Sequence, residues 1–277
     1  MHSDLRRLFT VALLASVFGS TAVSAAECSQ PAGAKLIEPG HLSMATNPTL
    51  PPMQFVDANG DLKGMRIELG SEIAKRMCLE DNYTRIEFSA MVPGLQGGRW
   101  DMINTGIFFT PERARIMFMI PYENQAISLS ALPANPANIA AIEDLAGKTV
   151  GVELGGFEEN SIKKVSTELV AKGLEPIEVR TFDNFAIAFQ ALRAGQVQAV
   201  VSLDSVAAEY QRQGNFKQVI AGLEPTPVAI AFKDRALANA AARVLNDMRA
   251  DGSLQALFSR YGVQSTAGTF TVQGPAS

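Results

Sequence analysis

Between Lys148 and Arg212 a strand, a turn and a helix recur three times, without an internal sequence repeat at solenoid periods. Lys148–Glu153, Ile177–Thr181 and Ala199–Leu203 read as strands. Ser161–Ala171, Phe185–Ala194 and Ser205–Arg212 read as the helices between and after them, with a glycine turn at Gly155-Gly156 and a stop at Gly195. Strands alternating with helices imply an α/β fold with mostly parallel sheets and a ligand at the carboxyl ends of the strands.

The first half carries the same alternation less regularly. A strand is expected at Leu42–Ala45, followed by Thr46–Met53, where Pro48, Pro51 and Pro52 forbid a helix. Asp57–Asp61 is a turn signal. Glu68–Met77 is an amphipathic helix with Leu69, Ile73 and Met77 on one stripe. Arg85–Phe88 and Met102–Thr105 read as strands and Met91–Gly97 as a short helix. Another helix starts at Pro111, with Thr110 as its N-cap. Beyond these units come a strand at Val228–Phe232 and helices at Arg235–Arg249 and Ser253–Tyr261.

The chain opens with Arg6 and Arg7, an apolar run from Leu8 to Val23, and the small residues Ser24, Ala25 and Ala26. That order reads as a cleavable secretory leader, residues 1–26, cut after Ala25 or Ala26. Glu27 precedes Cys28, so no lipoprotein signal is present and a free periplasmic protein is expected. Loss of Asp4, Arg6 and Arg7 with the leader takes the formal charge from −4 to −5. This charge, with no basic patch interleaved with aromatics, argues against a nucleic-acid partner. Only His41 then remains of two histidines, which argues against a His-built metal site or a Ser-His-Asp triad. No metal or cofactor is expected. Two readings of Cys28 and Cys78 stay open: a bridge from the N-terminal tail to the end of a helix, or a buried unpaired Cys78.

Seven stretches occur in order: Glu38–Leu42, Asp57–Gly64, Pro93–Asp101, Thr110–Arg113 with Pro121-Tyr122, Asp144–Val152, Ala191–Ala199 and Asp251–Ser253. Together they resemble the periplasmic solute-binding proteins of the polar amino acid type (family 3), which deliver ligand to ABC importers. The resemblance implies a two-lobed, type II Venus-flytrap fold with two crossover strands, near Gln125–Ser130 and Glu224–Val228. Lobe one is then discontinuous, residues 27–126 plus 229–277, and lobe two is 127–228. It also implies a small-molecule ligand, a membrane permease as partner, and binding without catalysis.

Site residues follow from the same resemblance. Arg113, in Thr110-Pro-Glu-Arg, corresponds to the arginine that clamps the ligand's α-carboxylate, which a guanidinium does with two parallel hydrogen bonds. Without the resemblance it reads equally as a surface partner of Glu112 or Glu123. Asp204 corresponds to the acceptor of the α-ammonium, or is simply an N-cap. Phe88 stands where a ring stacks on the ligand, or packs in the core. Gly106 offers a backbone amide. Phe108 and Phe157 replace two customary hydroxyls, and Asn47 and Leu50 stand where binders of cationic amino acids carry an acid and an aromatic. The expected solute is therefore an amino acid or analogue other than a standard lysine, arginine or histidine. Glu158 reads as an exposed helix-start residue. The alternative function is a periplasmic cyclohexadienyl (arogenate or prephenate) dehydratase on the same fold, with Asp204 or Glu158 as general acid. A periplasmic sensor presenting ligand to a membrane receptor is a third reading.

Overall fold

The computed structural model describes residues 28–276; the leader and its cleavage point lie outside them. The chain enters through β1 (His41–Thr46), whose side chains are buried from Leu42 onward. Three short strands, β2 (Thr49–Leu50), β3 (Gln54–Val56) and β4 (Leu62–Lys63), then form a small antiparallel sheet over the proline-rich stretch. Gly64 turns this into α1 (Met65–Arg76) with φ of 118°, and a Cβ there would lie 2.4 Å from the Met53 carbonyl oxygen, so no other residue fits.

β5 (Glu80–Arg85), α2 (Phe88–Gln96), β6 (Met102–Phe108), α3 (Pro111–Ala114) and β7 (Phe118–Asn124) follow. The strand expected at Arg85–Phe88 thus lies earlier, and Phe88 opens a helix rather than closing a strand. The chain next builds β8 (Ile127–Ala131), β9 (Thr149–Glu153), α4 (Phe157–Ala171), β10 (Glu178–Phe182), α5 (Phe185–Arg193), β11 (Ala199–Leu203), α6 (Asp204–Arg212) and β12 (Lys217–Leu223). It returns through β13 (Val228–Phe232) to α7 (Arg235–Ala250), α8 (Ser253–Arg260) and β14 (Gln264–Ser265).

Two larger sheets result. The first has the order β14-β7-β13-β6-β1-β5 and the second β10-β9-β11-β8-β12. β1 pairs in parallel with β5 and β6, and β9 with β10 and β11. The strands next to the connections, β7, β8, β12 and β13, all pair antiparallel, so each sheet is mixed where mostly parallel sheets were expected. The chain passes from the first sheet to the second between Asn124 and Ile127 and back between Leu223 and Val228. The two passages lie side by side, with the Thr226 amide donating to the Gln125 carbonyl at 2.9 Å. Apolar side chains cluster on both faces of the first sheet; Phe88, Met91, Leu95 and Trp100 cover one of them together with Ile103 and Ile107.

Cys28 and Cys78 are joined as a disulfide with a Cα–Cα distance of 5.2 Å. Cys78 sits just past α1 in the left-handed region (φ 55°), so the bond ties the first described residue to the end of that helix. No helix among the described residues is long and apolar enough to cross a membrane.

Candidate functional site

The carboxyl ends of four parallel-paired strands converge between the two sheets: β1 ends before Asn47, β6 at Phe108, β9 at Glu153 and β11 at Leu203. Arg113 is set there by α3. The Thr110 hydroxyl accepts from the Arg113 amide at 3.2 Å, which fixes the first turn, with Pro111 inside it. α3 is one turn long, so it adds less positive potential than a full helix would. The guanidinium donates through Nη1 to the Phe108 carbonyl (2.9 Å) and through Nη2 to the Gly155 carbonyl on the opposite unit (3.3 Å). Its Cζ lies 5.3 Å from the centroid of the Phe88 ring. It makes no ion pair with Glu112 or Glu123; Glu123 is committed to Arg66 at 2.9 Å.

Two glutamates of the second unit flank the Gly155-Gly156 turn that receives Arg113: Glu153 closes β9, and Glu158 Oε2 lies 2.6 Å from where a Cβ on Gly156 would stand. Glu153 is 3 % exposed and accepts from Asn47 Nδ2 at 2.7 Å, a hydrogen bond from one sheet's end to the other's. Burial pushes Glu153 well above the carboxylate range, and the neighbouring Glu158 and Glu87 push the same way. Glu158 is 2 % exposed, not solvated as expected, and its Oε1 has no hydrogen-bond partner. Burial raises it to about 7 against the pull of its own amide and Arg113. Burial also lowers the Arg113 pKa, opposed by Glu158 and Glu153. The cluster is therefore an arginine beside two buried carboxyls that burial holds toward the protonated form.

Phe108 and Phe157 stack across the divide with centroids 4.7 Å apart. Gly106 is enclosed from both units: a Cβ there would stand 3.1 Å from Leu203 Cδ2 of the second unit, and 3.3 Å from Arg66 Nη1 and 3.4 Å from Leu50 Cδ2 of the first. Glu87, at the N-cap of α2, accepts from Asn184 Nδ2 at 3.1 Å. Arg113, Phe88, Phe108, Phe157 and Asn47 are thus gathered at one closing face, with Gly106 beside it.

Asp204 is placed differently. It is the first residue of α6, with Leu203 as N-cap, so the capping reading of Asp204 does not hold. Its Oδ1 accepts from the Ser128 hydroxyl and from the Gly222 amide (3.3 Å). The side chain lines a separate crevice of about 500 Å³ with Pro52, Gln125, Ser205, Gln218 and Tyr261. The structure does not bring it to Arg113.

Sequence reasoning missed Glu153 and Arg66, and it read Glu158 as an exposed helix-start residue or as the general acid of the alternative. The signal existed in two cases. Glu158 heads the stripe Ile162, Val165, Leu169, and Arg66 heads Leu69, Ile73, Met77, each at helical spacing. A charge in register with an apolar stripe is carried into the interior with it. Among the described residues no cluster of His, Cys, Asp and Glu fits a metal ion.

Two sheets whose strand ends face each other over buried polar groups, joined by paired crossovers, define a two-lobed solute-binding fold. The chain belongs to the bacterial extracellular solute-binding proteins, family 3, whose model matches residues 42–264. It is 26% identical over 232 residues to the L-cystine-binding protein TcyJ of Escherichia coli strain K12, covering 82% of this chain and 84% of that one. It is 25% identical over 268 residues to ABC transporter arginine-binding protein 1 of the same strain, covering 93% and 99%. An ancestral arginine-binding protein bound to arginine superposes with a TM-score of 0.73 at 32% identity, over 80% of this chain and 98% of that one. The ancestral amino acid-binding protein AncCDT-1, a precursor of cyclohexadienyl dehydratase, gives 0.71 at 28% identity, over 80% and 95%.

Proposed function

We propose that this chain is the substrate-binding component of an ABC importer and captures an amino acid or close analogue between its lobes. The observation that carries the reading is Arg113: both Nη groups rest on main-chain carbonyls, one from each side of the cleft. A ligand carboxylate is a stronger acceptor than either carbonyl and matches the guanidinium in two places at once. Phe88 supports the guanidinium from below. Asn47, Gly106, Phe108 and Phe157 form the walls. Asp204 stands one crevice away and reaches the ligand only if the lobes rearrange.

Residues 27–126 with 229–277 form one rigid lobe and 127–228 the other, turning about the two crossovers. Ligand binds the closed form because it touches both. Residues 1–26 direct export, and the released protein meets its permease at the outer face of the inner membrane. The case against cationic amino acids rested on Asn47 and Leu50. Glu153 and Glu158 lie outside that loop, and either can balance a positive ligand group by giving up its proton.

Arg113→Ala tests the clamp. After a thermal-shift screen identifies a ligand, calorimetry should show about 2–5 kcal/mol of affinity lost, with the unfolding midpoint retained. Unchanged affinity refutes it. The dehydratase alternative needs a general acid in the cleft, and Glu158, held at about 7, has the required protonation. The named relatives are binding proteins, and incubation with prephenate or arogenate should yield no product; turnover would establish the enzyme instead.

A further inference from the structure

We propose that Glu158, backed by Glu153, and not Asp204, accepts the ammonium group of the ligand in this chain. The assignment rests on the amino-acid reading of the cleft.

Three observations carry it. First, the ammonium and carboxylate of an α-amino acid hang from one carbon, so their receptors must be neighbours. Glu158 stands at the turn that receives Arg113: Arg113 Nη2 donates to the Gly155 carbonyl at 3.3 Å, and Glu158 Oε2 lies 2.6 Å from where a Cβ on the adjoining Gly156 would stand. Asp204 is turned away, onto Ser128 and Gly222. Second, Glu158 is closed off from solvent with Oε1 unpartnered. A buried acceptor without a donor is costly, and an ammonium brings three donors. Asp204 opens onto a wide crevice where water can serve it. Third, the cleft gathers more carboxyls than cations. Arg113 from α3 faces Glu158 on α4 and Glu153 at the end of β9, while Glu87 at the start of α2 acts on Glu153. Glu159, next along α4, is already held by Lys163 and the Gly155 amide. Adding a zwitterion gives Arg113 a carboxylate and the glutamates a cation. An anion alone gives the two carboxyls no cation to ionise against.

Phe108 and Phe157 fit the same picture. Where two rings stack, no side-chain hydroxyl is available to share the ammonium, so the load falls on an acid. Binding then draws the proton from Glu158, and affinity rises with pH until that carboxyl is already ionised in the free protein.

The test uses the exported protein, the twenty standard amino acids and L-cystine. Calorimetry with the best-bound of these is run at pH 5.5, 7 and 8 on wild type, Glu158→Gln and Asp204→Asn. Wild-type affinity should rise about tenfold or more across that range, the behaviour of one released proton. Glu158→Gln should bind at least tenfold more weakly at pH 8, with a flat profile. The 2-hydroxy counterpart of the bound amino acid should lose tenfold or more on wild type and much less on Glu158→Gln, a coupling that a purely structural residue would not produce. Should Glu158→Gln unfold, Glu158→Asp, which draws the carboxylate back by one methylene, should show the same loss to a smaller degree. The proposal is overturned if Glu158→Gln stays within threefold of wild type with its pH profile intact, whether or not Asp204→Asn loses binding. If no probe binds wild type, the amino-acid reading itself fails and this assignment goes with it.

Discussion

Two arginines lie close together in this molecule, each facing glutamate, and they are built for opposite ends. Arg66 is fully buried and each nitrogen of its guanidinium has a side-chain acceptor: Nε donates to Tyr122 Oη (3.0 Å), Nη1 to Gln54 (2.8 Å) and Nη2 to Glu123 (2.9 Å). Gln54 continues to Thr105, and Gln125 ties Glu123 to Ser205 beside the crossover. Arg113 has two carbonyls and a ring, and its glutamates stand near without bonding it. Burial opposes the charge on both. At Arg66 the contributions of Glu123 and Tyr122 outweigh it and the pKa rises; at Arg113 those of Glu158 and Glu153 do not, and the pKa falls. A satisfied buried pair belongs to the framework, while an unsatisfied one is a site in waiting. Arg66 holds lobe one against its crossover; Arg113 is left with interactions that a ligand can improve.

The largest effect should come from breaking the satisfied pair. Arg66→Met leaves Glu123 buried without its cation and should cost about 3–5 kcal/mol of stability in urea unfolding. Adding Glu123→Leu should recover most of that loss, because the desolvation of both charges then disappears together. Arg113→Ala should move the unfolding midpoint little and ligand affinity much. If the two arginines shift stability equally, the distinction between them is wrong.

The same lobe is secured at the far end of α1. The Cys28–Cys78 bond spans 50 residues of sequence, and by loop entropy it is worth about 4 kcal/mol at most. Cys28→Ser with Cys78→Ser should lower stability by up to that amount and leave affinity unchanged, since the bond lies on the framework side of the comparison. Two free thiols in denatured, unreduced exported protein would remove the premise.

Glu158 gives the cleft a pH signature. Its folded pKa, about 7, lies above the unfolded value of 4.5, so the folded state holds this proton more tightly. The stability linked to it is present below pH 4.5 and is lost as pH rises to about 7, at up to about 1.4 kcal/mol per pH unit. Ligand-free Glu158→Gln should lack this fall and be the more stable protein above pH 7. A slope unchanged by the substitution would place the titration elsewhere.

What the sequence disclosed divides along the same line. β11 and β13 fall where apolar runs at Ala199–Leu203 and Val228–Phe232 place them, because both are buried along their whole length. β5 was misplaced because Glu80–Arg85 is an edge strand paired only with β1 and mostly exposed, so its residues carry no apolar pattern. The position of Arg113 was legible from Thr110-Pro111, whose cap and fixed φ locate a first turn. The glutamates were not, because an acidic residue reads as solvated unless its register with an apolar stripe is weighed. The orientation of Asp204 depended on Ser128 and Gly222, both distant in sequence.

The smallest test acts on the placement of Arg113 rather than on its charge. Thr110 contributes one hydrogen bond, from the Arg113 amide to its hydroxyl at 3.2 Å, and that bond sets where the guanidinium starts. Thr110→Ala should cost about 1 kcal/mol of stability, the usual value of an N-cap. In a one-turn helix there is no second turn to hold the geometry, so the loss should also reach the cleft as a several-fold drop in affinity, well short of Arg113→Ala. Thr110→Ser keeps the acceptor and should restore both. The comparison with Arg66 explains why so small a change is felt: Arg66 is located by three side-chain acceptors on two strands, β3 and β7, whereas Arg113 depends on its own turn and two main-chain oxygens. If Thr110→Ala lowers stability but leaves affinity untouched, Arg113 is positioned by Phe88 and the Phe108 carbonyl instead, and the cap belongs to the framework.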